Sequence, residues 1–160
     1  MILICGLPNA GKTTYSAQFQ NVVHIDEIAG IKHYHDIIKQ RLDEADGELC
    51  VEGTFLVHHA REKVLRLCKP EWKKTCIWLN TDPNECKRRE DRGRRPWLID
   101  NCERCFQPPT YDEGWDEIIV VKDGKEGLLE TSNTHSPLER GTVGDVPPAE
   151  QPRPSASGGL

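Results

Sequence analysis

The sequence predicts a three-layer α/β domain: a mostly parallel sheet of about five strands with helices on both faces. Short apolar runs rich in β-branched residues recur at 2–5, 22–25, 49–51, 75–79 and 118–121, as expected of strands covered on both sides. The stretches between them are long enough for helices, and a chain that alternates strand and helix winds into a parallel sheet. A chain of 160 residues also suffices to close a core without disulfide or metal staples.

The first run, Met1-Ile2-Leu3-Ile4-Cys5, falls far short of the ~18 apolar residues of a membrane span. It lacks the basic flank of a signal peptide, so it reads as a buried strand of a cytoplasmic protein with no membrane partner. A helix is expected over 12–19. The next helix, over 31–45, carries Ile31, His35, Ile38 and Leu42 at helical spacing. A third, over 58–67, carries Val64, Leu65 and Leu67, and 84–92 is a highly charged helix candidate.

Hydrophobic residues make up only 36% of the chain, lean against the usual ~45–50%. The deficit is local. Five of the 11 prolines lie at or beyond Pro137, and 131–160 holds no aromatic residue. Such a segment buries too little apolar surface to offset its ordering entropy. The expected division is a domain over 1–125 and a disordered Pro/Gly/Ser-rich tail over 126–160. The seven cysteines are an odd, scattered set, unlike a secreted disulfide framework. A net charge of −5 argues against a broad nucleic-acid coat and leaves room for a local basic grip.

Gly6-Leu7-Pro8-Asn9-Ala10-Gly11-Lys12-Thr13-Thr14 fits G-x-x-x-x-G-K-[ST] in full, with a strand before it and a helix after it. Gly6 and Gly11 let the backbone curl so that its N–H groups face phosphate oxygens. The positive end of the following helix points to the same place. Lys12 reaches the β- and γ-phosphates, and the Thr13 hydroxyl can ligate Mg²⁺. The expected fold is thus the P-loop NTPase sandwich, with ATP and Mg²⁺ as cofactors. A second ATPase subdomain does not fit in this length, and the guanine-reading N-K-x-D is absent. A kinase remains, and it needs a base, cations over the transferring phosphoryl and an acceptor site.

Two carboxylates end strands, where ligands of open α/β sheets sit. Asp26 follows the second run and either accepts the proton of an attacking hydroxyl or caps a helix. Glu52 follows the third run and either serves Mg²⁺ and a lid arginine or faces solvent at a turn. Thr54 can bond acceptor or phosphate. The stretch from Lys87 to Arg95 holds six basic and two acidic residues, a local +4. Arg88 and Arg92 lie four apart, on one helix face, and two such guanidinium groups can clamp donor phosphates. Gly93 and Pro96 then break the helix, as a mobile lid over about 87–106 requires. Arg89, Arg94 and Arg95 are weaker candidates.

These features, with the segment Phe106-Gln107-Pro108-Pro109-Thr110-Tyr111-Asp112-Glu113-Gly114-Trp115-Asp116-Glu117-Ile118, resemble the 5′-kinase domain of polynucleotide kinases, AAA-type small P-loop kinases. The resemblance implies that Lys12 and Thr13 bind phosphate and Mg²⁺ and that Asp26 is the general base on a 5′-hydroxyl. Arg92, supported by Arg88, would be the lid cation, and Glu52 and Thr54 would lie near the acceptor. A nucleic-acid 5′ end would be the substrate. Phage-type members carry an arginine three residues after the aspartate, and this chain has Ala29 there. The D-x-D-G-T motif of the fused 3′-phosphatase is absent. A small-metabolite or nucleoside kinase and a non-catalytic ATP-binding module are the alternatives. Cys102 and Cys105 form a lone C-x-x-C, short of the four ligands of structural zinc. Trp97 and Trp115 either stack on a base or pack in the core.

Overall fold

In the computed structural model, which describes residues 1–28, 30, 33–89 and 96–130, the first strand, β1 (Ile2–Gly6), is buried on both faces. Leu3 and Cys5 enter one core and Ile4 the other, all fully buried, as the two-residue period of a strand demands. Beside it lie β2 (Val22–His24), β3 (Cys50–Glu52), β4 (Thr75–Leu79), β5 (Glu117–Lys122) and β6 (Lys125–Leu128), in the sheet order β2-β3-β1-β4-β5-β6. The first five are parallel, and β6 is antiparallel to β5. The sheet thus has a doubly wound arrangement, five parallel strands with helices on both faces.

The helices are α1 (Lys12–Ser16), α2 (Ile25–Ile28), α3 (Tyr34–Glu44), α4 (His58–Leu65), α5 (Pro83–Arg88) and α6 (Pro96–Cys105), with a short 3₁₀ turn at Tyr111–Glu113. One face of the sheet packs Leu3, Val51, Cys76 and Ile118 against Ile38 and Leu42 of α3 and Val64 and Leu65 of α4. The other packs Ile4, Cys50, Ile77 and Leu79 against Cys86 of α5 and Ile99 of α6. Each buried Leu or Ile stabilises the fold by about 1.5–3 kcal/mol. Among the described residues no helix is long and apolar enough to cross a membrane.

The sheet has one strand beyond the five expected. β6 is exposed along its whole length and carries no β-branched residue, so no apolar run announced it. Its hairpin turns at Asp123 and Gly124, with φ of +51° and +73°, the paired positive values of a type I′ turn. The domain boundary expected after 125 therefore falls inside β6, while 131–160 lie outside the described residues. Two helices end earlier than expected, α1 at Ser16 and α4 at Leu65. The Ser16 hydroxyl donates to the Thr13 carbonyl at 3.1 Å, a side-chain bond that competes with helix continuation. α5 starts at Pro83 behind Asp82, whose carboxylate accepts the Asn84 N–H at 2.7 Å, a sound N-cap.

Register places the functional loops together. His24 is opposite Glu52, Ile4 opposite Glu52 and Gly6 opposite Leu79. The carboxyl ends of β2, β3, β1 and β4 therefore share one edge of the sheet, where β3 and β4 diverge on either side of β1 and a crevice opens.

Candidate active site

The loop after β1 is set by glycine geometry. Gly6 has φ +151°, and a Cβ there would stand 2.7 Å from the Leu79 carbonyl oxygen, closer than any side chain tolerates. Gly11 precedes α1 with φ +98°, the left-handed region that favours glycine. The Thr81 hydroxyl donates to the Ala10 carbonyl at 2.9 Å, and the Asn9 amide donates to the Cys86 carbonyl at 3.2 Å. These bonds fix the loop against β4 and α5. The first N–H groups of α1 have no acceptor within their helix and carry its positive end.

Lys12 is 7% exposed, and its ammonium donates to the Leu7 carbonyl at 2.8 Å. Burial pushes its pKa down, opposed first by Glu52 and then by Asp26. Glu52 is itself buried, 6% exposed. Its Oε2 lies 2.5 Å from His24 Nδ1 and 3.4 Å from the Thr13 hydroxyl that donates to it. Asp26 is exposed in the first turn of α2.

A cavity of about 910 Å³ joins these groups. Asn9 to Thr14 form its floor, and Asp26 and Glu52 face it from the β2 and β3 side. Thr81, Glu85, Arg89 and the Asp123–Gly124 turn form the other side. Of the expected site residues, Asn9, Ala10, Gly11, Lys12, Thr13, Thr14, Asp26 and Glu52 meet here. Gly6, Leu7 and Pro8 do not line the cavity. Thr54 does not line it either, and contributes its carbonyl, which accepts the Gly6 N–H at 3.2 Å. Arg92, Arg94 and Arg95 lie outside the described residues.

The structure turns Arg88 away from the cavity and brings Arg89 to it. Arg88 is exposed and makes two bonds of 2.7 Å to Glu85. Arg89 bonds Glu85 at 2.6 Å, and its guanidinium stands 3.6 Å from the position of a Cβ on Gly11. Arg88 first, then Arg89, pull the Glu85 pKa down to about 2. Sequence spacing cannot tell the two arginines apart without the rotational phase of α5, since one residue is about 100° of helix.

The Pro-Pro and Glu-Gly-Trp segment lies behind the site. Glu113 accepts from Arg61 Nε at 2.8 Å, Arg61 Nη2 at 2.7 Å, Trp115 Nε1 at 3.1 Å and the Thr110 N–H at 3.0 Å. Arg61 is fully buried and also donates to the Phe55 carbonyl at 2.8 Å. Phe55 has φ +41°, an outlier for a bulky residue, and the arginine bond holds it. Sequence reasoning missed Arg61, yet its spacing from Val64 and Leu65 sets it on the apolar face of α4. Trp115 is buried, 4% exposed, and Trp97 is 53% exposed. Cys102 is half-buried and Cys105 exposed. Among the described residues no three His, Cys, Asp or Glu side chains converge as a metal cluster. Mg²⁺ needs none, since it takes one or two protein oxygens plus substrate phosphates. The Thr13 hydroxyl beside the Glu52 carboxylate is a hard-oxygen set of that kind.

The chain matches no family model and no curated protein sequence. Among solved structures it is similar to a gluconokinase from Sinorhizobium meliloti 1021, at 11% identity and a TM-score of 0.53. The match covers 78% of this chain and 82% of that one. At this identity the likeness is one of fold, the P-loop kinase fold, and it does not single out a polynucleotide kinase.

Proposed function

We propose that the chain is an ATP-dependent kinase that transfers the γ-phosphoryl group to a hydroxyl of a small acceptor, a polyhydroxy metabolite or a nucleoside. The carrying observation is the single cavity in which the phosphate loop with Lys12 faces two strand-end carboxylates, Asp26 and Glu52. Charge favours a small acceptor over a polyanion. Among the described lining residues, the β2 and β3 side presents the carboxylates Asp26 and Glu52 and no Lys or Arg, so it offers a phosphodiester strand no basic grip. The fold shared with a gluconokinase supports the same class.

In this reading Asp26 orients the acceptor hydroxyl and takes its proton as the oxygen bonds to the γ-phosphorus. The bond from that phosphorus to the bridging oxygen breaks, and ADP leaves. Lys12 follows the charge that gathers on the phosphoryl oxygens. Arg89, at the mouth of the loop, supplies the donor-side cation that the spacing had given to Arg88. Arg92, the lid cation expected from the sequence, lies outside the described residues. Thr13 and Glu52 would hold Mg²⁺, directly and through water. When bound, that ion neutralises charge on the β- and γ-oxygens.

Labelled ATP offered with a panel of polyols, sugar acids and nucleosides, and separately with 5′-hydroxyl oligonucleotides, tests the proposal. Label on a small acceptor is expected. Label on oligonucleotides alone would return the function to the polynucleotide reading. ATP binding without any transfer would leave a nucleotide-binding module. Asp26→Ala is expected to lower kcat by about 10²–10⁴ with ATP affinity retained.

A further inference from the structure

We propose that His24 is a positioning residue for the phosphate end of the cavity: its ring holds the Glu52 carboxylate and keeps it off Lys12. This deepens the kinase reading and rests on it. The two residues are direct partners across β2 and β3, so the sheet itself sets them side by side. Their contact is 2.5 Å. An ionised carboxylate only accepts, so Nδ1 carries the hydrogen. Glu52 is 6% exposed, and a carboxylate so buried requires a partner.

The competing partner is Lys12. It is as buried as Glu52, and Glu52 is the first of the charges that hold its proton against burial. A Glu52 side chain released from β2 would swing towards that ammonium. The lysine would then be neutralised by its own protein instead of by phosphate. With His24 in place, Lys12 donates to the Leu7 carbonyl at 2.8 Å, inside its own loop. The carboxylate meanwhile remains beside the Thr13 hydroxyl at 3.4 Å. The neighbours of a metal-binding carboxylate act this way in general, by orienting it, and their loss costs about 10–100-fold in metal affinity. Sequence reasoning picked Glu52 from its strand end and passed over His24, because a partner one strand away is visible only in the register.

The test is calorimetric binding of ADP, with Mg²⁺ and with a chelator, to the full chain and its variants. The wild-type protein is expected to bind ADP more tightly with Mg²⁺. His24→Ala is expected to lose about tenfold of that gain and to bind ADP more weakly in chelator too, because Lys12 is diverted. His24→Asn, which restores an N–H donor close to the Nδ1 position, is expected to remain within about threefold of wild type, well short of that loss. If His24→Ala does not fold, as melting would report, His24→Leu against His24→Asn makes the same comparison of bulk with donor. An unchanged Mg²⁺ gain in the alanine or leucine variant overturns the proposal, and so does an asparagine variant as weak as alanine. A wild-type protein that gains nothing from Mg²⁺ also overturns it. A wild-type protein that binds Mg²⁺ and ADP but phosphorylates no acceptor overturns the kinase reading alone, and the His24 comparison stands.

Discussion

The loop of residues 6–11 and the loop of residues 53–57 each follow a buried strand, and they touch where the Gly6 N–H donates to the Thr54 carbonyl at 3.2 Å. Both contain backbone that side chains resist. In the first, φ is +151° at Gly6 and +98° at Gly11, and glycine relieves the strain at its source. In the second, φ is +41° at Phe55, and nothing local relieves it. There the backbone is held by Arg61, which Glu113 holds in turn across 52 residues of sequence. The same requirement, a chain bent sharply after a strand, is met by residue choice in one place and by a buried ion pair in the other. A change in the first should therefore act locally, and a change in the second should spread.

The largest expected effect tests the second loop. Glu113→Gln leaves the Arg61 charge buried without its counter-ion, and breaking such a pair costs about 3–5 kcal/mol. Urea unfolding at pH 7 checks this. The pH dependence follows from the carboxyl. Burial pushes the Glu113 pKa up, but the bonds from Arg61 and Trp115 outweigh it and hold it below its ordinary 4.5. A depressed folded pKa means stability that is present above the unfolded value and lost as pH falls through the folded one. The gap between wild type and Glu113→Gln should thus be full at neutral pH and close below 4.5. A gap that does not change with pH would mean that the pair is not ionised.

A smaller effect is expected in the first loop. Gly6→Ala forces a Cβ to within 2.7 Å of the Leu79 carbonyl at a φ that alanine rarely adopts, a strain of about 1–3 kcal/mol. Because the loop is anchored locally, the variant should fold and lose ATP affinity out of proportion to its change in melting temperature. Equal losses of stability and affinity would dissolve the distinction between the two loops.

The same contrast decides what was legible beforehand. The five parallel strands and the phosphate loop were readable because their causes lie within a few residues: apolar runs, two glycines and a lysine in fixed spacing. That Asp26 and Glu52 would line the cavity was readable one level up, from the rule that strand ends face ligands. β6 was not, since its bonds to β5 are made by backbone while its side chains face water. Arg61 and His24 were not either, since each takes its meaning from a partner on another element. Arg89 was displaced by its neighbour Arg88 because the phase of a six-residue helix depends on how it packs, here through Cys86.

The smallest expected effect separates distance along the chain from burial. Tyr15 on α1 donates to Glu126 on β6, 111 residues away, in an exposed contact. If sequence separation were what made the Glu113 pair matter, this bond should matter more. Burial argues the reverse, because water competes for both groups and screens them. Tyr15→Phe should therefore cost at most about 0.5–1 kcal/mol, the low end for a hydrogen bond. Partial burial first, and then Glu126, push the Tyr15 hydroxyl from 10 up to about 12. A raised folded pKa contributes stability below pH 10 that disappears as pH rises towards 12. The wild type should lose its small advantage over Tyr15→Phe across that window and nowhere below it. A Tyr15→Phe penalty at neutral pH as large as that of Glu113→Gln would show that β6 is held by this contact, and that exposure does not weaken it.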